Sequence, residues 1–399
     1  MREMKDSGVA WIGKIPTKWT IARAKNCVEI QNGSDPKTEG SIPVYGSGSM
    51  SFKTCGEYKE GPAVLIGRKG ATLHIPHYIG SKFWNVDTAF NVYSKPIFDL
   101  KYYFYCAHVF DYKLYVSQTT LPSMTQTAYE NMFLPLPTKE EQYAIAKQLD
   151  QICFEIDTVL EKTRASIEEY KKLKQAVITQ AVTKGIRGDR PMEDSGIEWI
   201  GEIPAEWDVL NLVAHTSMLT PMRDRPENLD GPIPWVRIED FEGKYIESSK
   251  AGLGVSMKTV KEMNLKVYPV GTILCTSSCI MGKCAIVSRE LVSNQRFIGI
   301  IPDRTTDKTY LYYLMTSNAE RMNFLSTGAL QANLSRSAFE HLKVQFPPYS
   351  EQQEIAAYLD DKCEKIDELI LKKQQYLTEI ENYKKSLIYE YVTGKKEVV

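Results

Sequence analysis

The chain has 399 residues, of which 43% are hydrophobic and 25% are charged, and these are the proportions of an ordinary globular protein. At about 100–200 residues per domain, this length predicts two to four domains whose cores need no stabilising disulfides or metals. The 49 basic and 50 acidic residues give a net charge of −1, which excludes a uniformly basic coat for nucleic acid but not a local basic face.

The first residues and the cysteines indicate a cytoplasmic protein. No long apolar run follows the first charged residues, so we expect no signal peptide, and no stretch approaches the 18 apolar residues of a membrane span. Eight scattered cysteines fit a reducing compartment. Cys275, Cys279 and Cys284 lie closest together, but they lack C-x-x-C spacing and a nearby histidine, so we expect buried side chains and no metal site.

Two sequence motifs occur twice. The first, which we name the WIG motif, is DSGVAWIGKIPTKW at Asp6–Trp19 and DSGIEWIGEIPAEW at Asp194–Trp207, with nine of fourteen positions identical at an offset of 188. The second, the EQ motif, is EQYAIAKQLDQICFEID at Glu141–Asp157 and EQQEIAAYLDDKCEKID at Glu351–Asp367, at an offset of 210. The chain is therefore a duplicated module, and the segment between the motifs is 22 residues longer in the second copy.

Each EQ motif opens a long segment with the heptad spacing of a coiled coil and no internal glycine or proline. The predicted seam positions in the first segment are Ile145, Leu149, Ile152, Ile156, Val159, Thr163, Ser166, Tyr170, Leu173 and Val177. Those in the second are Ile355, Leu359, Lys362, Ile366, Leu369, Lys373, Tyr376, Ile380, Tyr383 and Leu387. We expect the two helices to pair antiparallel within the chain, because both are at high effective concentration there. Homodimerisation through each helix separately is the alternative.

The segments 20–134 and 208–344 are rich in Gly, Ser, Thr and aromatic residues, with short β-like runs broken by turns. Helical stretches are expected late in each, near Tyr102–Tyr115 and Lys308–Leu325. Each segment has a net charge of +2, so these α+β modules are the mildly basic parts of the chain. The predicted domains are 1–134 and 188–344, the two globular domains, and 135–187 and 345–399, the long helices for spacing and partner docking.

The sequence contains parts of several catalytic motifs, but none of these motifs is complete. Gln345–Tyr349, QFPPY, resembles the loop with which amino-methyltransferases hold their target amino group, but Phe346 occupies the position that must be polar. Gly46 and Gly48 lack the rest of a GxGxxG loop, and Gly282 with the following lysine lacks the rest of a P-loop. Five histidines without a plausible triad give no support for nucleophilic catalysis. We therefore expect a protein that binds and does not catalyse.

The doubled WIG and EQ motifs resemble those of the specificity subunit of type I restriction-modification systems, and the resemblance covers essentially the whole chain. Further motifs inside the modules are similar to two styles of target recognition domain in that family. In the first module they are YGSGS (Tyr45–Ser49), LIGRKGA (Leu65–Ala71) and FWNVDTAF (Phe83–Phe90). In the second they are GTILCTSS (Gly271–Ser278), NQRF (Asn294–Phe297) and GALQANLS (Gly328–Ser335).

The resemblance implies an α+β protein with two globular target recognition domains, joined by two long antiparallel coiled-coil helices in a pseudo-twofold internal repeat. It further implies that each domain reads one half of a split, non-palindromic target on double-stranded DNA. Two modification subunits bring S-adenosylmethionine and methylate adenine, and restriction subunits add ATP- and Mg-dependent translocation and cleavage. No catalytic centre, cofactor, metal or membrane contact is expected in this chain.

Two other classes of function are left open by the residues. One is an autonomous DNA-binding or architectural protein, which would need no methyltransferase partner. The other is a hydrolase that uses Ser277 or Cys279, which would show activity as an isolated chain. A specificity subunit differs from both because it binds methylation subunits at fixed stoichiometry.

Polar side chains in the glycine-rich loops are the candidates for DNA contacts, because arginine pairs with guanine, Asn and Gln pair with adenine, and Lys, Ser and Thr bind phosphates. In the first module these are Arg68, Lys69, Thr72, His74, Thr119, Ser123 and Gln126. In the second they are Arg237, Ser277, Lys283, Gln295, Arg296, Gln331, Asn333 and Arg336. His77, Trp84 and Trp235 are expected to pack inside the modules.

A helix pair that spaces the modules must also set the spacer length of the DNA target. Inserting one heptad near Thr163 and another near Lys373 keeps both seams and adds roughly 10 Å of helix. At about 3.4 Å per base pair, the methylome should show the same half-sites with about three more pairs between them. Some loss of affinity should accompany the shift, because the insertion also rotates one half-site about the DNA axis. An active insertion variant with an unchanged spacer would show that the helices only dock partners.

Overall fold

The computed structural model describes residues 2–116, 122–221, 224–278, 281–326 and 334–398. The chain divides into two compact units: unit 1 consists of Met1–Ala165 with Lys373–Val399, and unit 2 of Ser166–Lys372. Each unit thus contains one globular module and one part of each long helix. The domain boundaries expected from the sequence give each helix a domain of its own, and they stay a prediction.

The module of unit 1 consists of short strands and three short helices among the residues described. In chain order they are β1 (Met4–Asp6), β2 (Lys14–Pro16), β3 (Thr20–Arg23), α1 (Ala24–Cys27), β4 (Val28–Asn32), β5 (Ile42–Tyr45), β6 (Lys53–Cys55), β7 (Ala63–Gly67), β8 (His77–Ile79), β9 (Trp84–Asn85), β10 (Ala89–Ser94), α2 (Leu100–Val109), α3 (Gln126–Asn131) and β11 (Phe133–Leu136). The first long helix, α4, follows at Lys139–Lys184.

The module of unit 2 repeats this order with additions. Its elements are β12 (Met192–Asp194), β13 (Glu202–Pro204), β14 (Asp208–Asn211), β15 (Thr216–Leu219), β16 (Ile233–Val236), β17 (Tyr245–Ile246), β18 (Gly254–Val255), α5 (Met257–Glu262), β19 (Ile273–Thr276), β20 (Cys284–Val287), β21 (Val292–Ser293), β22 (Phe297–Pro302), α6 (Lys308–Ser317), α7 (Ala319–Leu325), α8 (Arg336–Glu340) and β23 (Lys343–Phe346). The second long helix, α9, is Tyr349–Val392.

The largest sheet of each module is built in the same way. In unit 1 its strand order is β4-β10-β7-β8, and all its pairs are antiparallel. In unit 2 the order is β15-β22-β19-β20-β17, where β17 adds a parallel edge strand from the longer segment of the second copy. The central strand β7 is buried along its whole length, which explains why its sequence, AVLIG, is a continuous apolar run.

A second, smaller sheet in each module contains one parallel pair of strands. The orders are β6-β5-β9 in unit 1 and β18-β16-β21 in unit 2. Strands β5 and β9 run parallel, as do β16 and β21. The chain therefore leaves both strands of each pair at the same edge, and the loops that follow them start close together.

The WIG motif is repeated because it performs the same packing task in each unit. In unit 1, Ile15 and Trp19 are buried in the cluster that also holds the last turns of α9. Gly394, just beyond α9, has a φ of +70°, and a Cβ there would lie 2.5 Å from the Cδ of Pro16. In unit 2, Ile203 and Trp207 share a cluster with the last turns of α4.

The EQ motif is repeated because its glutamine anchors the module to the start of the long helix. In unit 1, Gln142 is fully buried, and its amide donates to the carbonyl oxygens of Ile97 and Pro137. Its Oε1 accepts from the backbone N–H of Asp99, the residue that caps α2. In unit 2, the same bonds join Gln352 to Thr305, Pro347 and Asp307, which caps α6.

Within each unit, α4 and α9 pair antiparallel, so that residue numbers rise along one helix as they fall along the other. In unit 1, Lys384 Nζ lies 2.7 Å from Asp157 Oδ1. In unit 2, Lys174 Nζ lies 2.6 Å from Asp367 Oδ2. The expected α+β fold with long antiparallel helices that pair within the chain is confirmed.

The seam of these helices differs from the predicted one by one residue at every second position. Most of the predicted seam residues are buried or partly buried, as members of the seam should be. The buried ones include Ile145, Leu149, Ile355, Leu359 and Ile366, and the partly buried ones include Ile156, Tyr170 and Ile380. Leu173 and Tyr383 were also expected there, but they are 48% and 57% exposed, so these two assignments were wrong.

The physical reason is that two heptad frames share half of their positions. From Leu149 the predicted seam steps by three to Ile152, whereas the observed seam steps by four to Cys153 and continues through the partly buried Ile156 to Leu160. In this frame Val159 lies one residue before the buried Leu160, and it is 39% exposed. The same one-residue shift applies to α9, where Cys363 is buried in place of the predicted position before it.

The corrected seam can be tested with two Leu→Ala variants. Leu149→Ala should destabilise the protein by about 2–5 kcal/mol, because it leaves a cavity at a fully buried site. Leu173→Ala removes the same atoms from an exposed site and should change stability by less than about 0.5 kcal/mol. Urea unfolding of both variants measures the difference, and equal shifts of the two midpoints would restore the predicted seam.

Candidate nucleic-acid interface

Four segments of unit 1 meet at one edge of the module. The backbone N–H of Val86, after β9, donates to the carbonyl oxygen of Tyr45 at 3.0 Å. The N–H of Arg68, after β7, donates to the carbonyl oxygen of Thr88 at 2.7 Å. The carbonyl oxygen of Arg68 in turn accepts from the N–H of Met124 at 2.9 Å. The YGSGS, LIGRKGA and FWNVDTAF motifs and the segment before α3 are thus held together by backbone bonds.

Arg68 and Lys69 lie at the centre of this edge. The Arg68 guanidinium lies 5.8 Å from the ring centroid of Phe90, and its Nη1 donates to the carbonyl oxygen of Asp87 at 3.4 Å. Lys69 Nζ lies 3.9 Å from Asp87 Oδ2, and both side chains are about half exposed. An exposed ion pair of this length is weak, and the 3.4 Å bond of Arg68 is longer than a typical hydrogen bond, so both cations are available to a phosphate or a base.

The other predicted residues of unit 1 occupy different surroundings. The hydroxyl of Thr72 lies 3.2 Å from that of Ser47, which joins two of the loops. His74 is exposed at the rim of a pocket of about 640 Å³. Ser123 lies beside the backbone of Lys69 in a β-bridge. Thr119 lies outside the described residues.

Gln126 is committed to the module itself. Its amide nitrogen donates to the carbonyl oxygen of Ile30 at 3.0 Å and to Glu130 at 2.8 Å. Its oxygen accepts from the amide of Asn32 at 3.1 Å. These bonds use both kinds of group on the side chain, so a contact between Gln126 and adenine would require breaking them.

Sequence reasoning missed the polar support beneath these loops. Lys59 Nζ donates to Asn85 Oδ1 at 2.9 Å, to Asn91 Oδ1 at 2.6 Å and to the carbonyl oxygen of Asn32 at 3.1 Å. Asn85 and Asn91 are fully buried, and burial lowers the pKa of Lys59 to about 8. Only Asn85, inside the FWNVDTAF motif, gave a signal in the sequence.

In unit 2 the same edge is built by equivalent backbone bonds. The N–H of Ser277, after β19, donates to the carbonyl oxygen of Arg296 at 2.8 Å. The N–H of Leu334 donates to the carbonyl oxygen of Ser277 at 2.9 Å. The N–H of Asn294, after β21, donates to the carbonyl oxygen of Val236 at 3.2 Å.

Three of the predicted residues of unit 2, Arg237, Gln295 and Arg296, line one cleft of about 390 Å³. Lys283 lies nearby, with its Nζ 3.4 Å from the carbonyl oxygen of Ile238. Arg336 is half exposed at the start of α8 and pairs with Glu340 at 2.7 Å.

Two further predicted residues, Gln331 and Asn333, lie outside the described part of the chain. Trp235 packs in the module as expected, with 5% of its surface exposed, whereas Trp84 is only partly buried.

The two units therefore present different side chains on the same backbone frame. The shared bonds make Arg68 equivalent to Ser277 and Thr88 equivalent to Arg296. The parallel strand pairs likewise make Gly46, which follows β5, equivalent to Arg237, which follows β16. A duplicated scaffold with different polar chemistry at matching positions suits two recognition surfaces that bind different sequences.

Two of the three clustered cysteines of unit 2, Cys275 and Cys284, are part of the core. Cys275 and Cys284 face each other on paired strands and are buried. Burial raises the pKa of Cys275 well above its ordinary value, so its thiol stays protonated. Cys279 lies outside the described residues.

Across the described ranges, the structure contains no group of three His, Cys, Asp or Glu side chains that could hold a metal ion. Among those same residues, no helix is both long enough and apolar enough to cross a membrane.

Two curated relatives from Methanocaldococcus jannaschii are named as specificity subunits of type I restriction enzymes. The MjaIX specificity subunit is 36% identical over 176 residues, which are 41% of this chain and 40% of the relative. The putative MjaX specificity subunit is 27% identical over 280 residues, which are 69% of this chain and 62% of the relative. These alignments thus span 40% and 62% of the relatives' own lengths.

Two solved structures share the fold. The first comes from a study of complex assembly and conformational transition of the type I R-M system. It matches with a TM-score of 0.73 and 13% identity, over 96% of this chain and 99% of that one. The HsdS subunit from Thermoanaerobacter tengcongensis matches with a TM-score of 0.50 and 13% identity, over 96% and 98% of the two chains.

The family model of the type I restriction modification DNA specificity domain matches twice, at residues 16–169 and 208–382. The first match begins within the WIG motif and the second directly after it, and each runs through one module into one long helix. The resemblance inferred from the doubled motifs is confirmed, and the chain belongs to the type I restriction modification DNA specificity family.

Proposed function

We propose that this chain is the DNA sequence-specificity subunit of a type I restriction-modification complex and is not itself an enzyme. Each unit reads one half of a split, non-palindromic target, and partner subunits carry out adenine methylation and DNA cleavage. The observation that supports this most directly is the shared backbone frame, which carries Arg68 in unit 1 where unit 2 has Ser277, and Thr88 where unit 2 has Arg296.

The side chains at this frame are those that distinguish base pairs in the major groove. Arginine binds the O6 and N7 of guanine, and glutamine binds the N6 and N7 of adenine. Unit 1 offers Arg68 and Lys69, and unit 2 offers Arg237, Gln295 and Arg296. Because matching positions carry different groups, the two half-sites should differ in sequence.

The helix pair offers a surface for the modification subunits. Exposed apolar residues immediately precede seam residues in both units: Val159 and Tyr383 in unit 1, and Leu173 and Leu369 in unit 2. In an antiparallel pair, these positions of both helices flank the same side of the seam. We expect helices of the modification subunits to pack against this flank.

The chemistry of the complex is assigned to the partners. S-adenosylmethionine belongs to the modification subunits, and ATP with Mg²⁺ belongs to the restriction subunits. The complex works in the cytoplasm, and the seven free, buried cysteines of the described residues fit a reducing compartment.

The isolated chain should transfer no methyl group from S-adenosylmethionine to DNA, and transfer should appear when modification subunits are added. Filter binding of labelled methyl groups on a plasmid that carries the target measures this. Methylation by the purified chain alone would contradict the assignment. Specific DNA binding without any affinity for modification subunits would favour an autonomous DNA-binding protein instead.

The methylome of a host that expresses the complex should contain one split motif with two different halves. A chain in which residues 208–344 are replaced by residues 20–134 should give identical half-sites, because both modules then carry the same side chains. A palindromic motif from the natural chain would mean that the differences at the frame do not determine the sequence read.

A further inference from the structure

We propose that the cleft of unit 2 reads a G·C base pair, with Arg296 as the side chain that contacts guanine. The inference rests on the proposed function and specifies which bases that site takes. The cleft has a volume of about 390 Å³ and is lined by Arg225, Trp235, Arg237, Gln295 and Arg296, together with Asp224 and Asn294. Sequence reasoning had singled out three of these residues, but not Arg225.

The cleft is held in place by paired backbone. Arg237 follows β16, and Asn294 to Arg296 follow β21, which runs parallel to β16. The N–H of Asn294 donates to the carbonyl oxygen of Val236, and the carbonyl oxygen of Arg296 accepts from the N–H of Ser277. Residues fixed in this way keep their side chains at a defined edge, which base reading requires.

Two of the three arginines already have neighbours that orient them. The Arg225 guanidinium lies 5.7 Å from the ring centroid of the buried Trp235. Arg237 Nη1 pairs with Glu239 at 3.0 Å. Arg296 is exposed and has no side-chain partner within the described part of the chain. All N–H donors of the Arg296 guanidinium are therefore available for a ligand.

The comparison with unit 1 favours a base over a phosphate as this ligand. Both half-sites carry the same phosphates, so phosphate contacts can be alike in the two units, whereas base contacts must differ. The cleft positions differ completely: unit 1 has Gly46 where unit 2 has Arg237, and Thr88 where unit 2 has Arg296. Arginine at such a position binds guanine through two parallel bonds.

The test uses the complete complex of this chain with its modification subunits. Methylome sequencing and binding to duplexes changed at one base pair at a time are done for the natural chain and for Arg296→Ala, Arg296→Lys and Arg289→Ala. Arg296→Ala should reduce the preference for one G·C pair in one half-site by about 10- to 100-fold and leave the other half-site unchanged. Arg296→Lys should keep the charge but only part of this preference, because lysine lacks the planar fork of donors.

Arg289→Ala is the matched control, since Arg289 is an exposed arginine of the same unit that binds the carbonyl oxygen of Pro232 away from the cleft lining. It should leave the motif unchanged. Arg68→Ala should alter the opposite half-site from Arg296→Ala, which assigns each half to its unit.

Three results would overturn the inference. Unchanged base preference in Arg296→Ala would exclude Arg296 as a base reader. Equal weakening of all duplexes by Arg296→Ala, with recovery in Arg296→Lys, would make it a phosphate contact. Loss of preference at an A·T pair would make the ligand a different base. If the natural complex gives no split motif at all, the proposed function itself fails, which separates that failure from these three.

Discussion

An ion pair between a seam lysine and an aspartate of the opposite helix joins the two long helices in each unit. Lys174 and Lys384 occupy seam positions, and each reaches an aspartate of the opposite helix, Asp367 or Asp157. A polar residue in a seam specifies register, because sliding the helices removes its partner and leaves the charge against apolar groups. Both pairs are related by the repeat offset of 210, so the duplicated chain carries the same constraint in both units.

The docking of each module depends on this register. In unit 1, the hydroxyl of Tyr102 donates to the carbonyl oxygen of Val392 at 2.8 Å, near the end of α9. In unit 2, the amide of Gln345 donates to the carbonyl oxygen of Val182 at 2.6 Å, near the end of α4. Val182 and Val392 are also 210 residues apart, so a helix that slipped along its partner would lose the contact that holds the module.

Much of the fold could be predicted from the sequence, because doubled motifs and apolar runs indicate which segments pack in the core. The seam frame could not, since both heptad frames contain Leu149 and Ile156, and only burial distinguishes Cys153 from its neighbour. The loops that meet at the edge of each module were predicted separately. Their convergence depends on parallel strand pairs of two residues, which are too short to detect in a sequence. Lys59 escaped notice because its partners are distant along the chain.

The attachment of the modules explains how the two copies can diverge without losing the fold. In each unit an aspartate of the long helix accepts bonds from one lysine and one tyrosine. These groups are Lys101, Asp150 and Tyr105 in unit 1, and Lys244, Asp360 and Tyr313 in unit 2. The aspartates and tyrosines occupy equivalent places, but the lysines do not: one lies in α2, and the other precedes β17 in the longer segment. The attachment thus needs a cation at that aspartate and not a particular segment to supply it.

The side chains of the loops that meet at the edge of each module can change in the same way, because backbone bonds hold the frame whatever the side chains are. Substitutions can therefore change the frame residues of one unit while the core, the attachment and the helix register stay as they are.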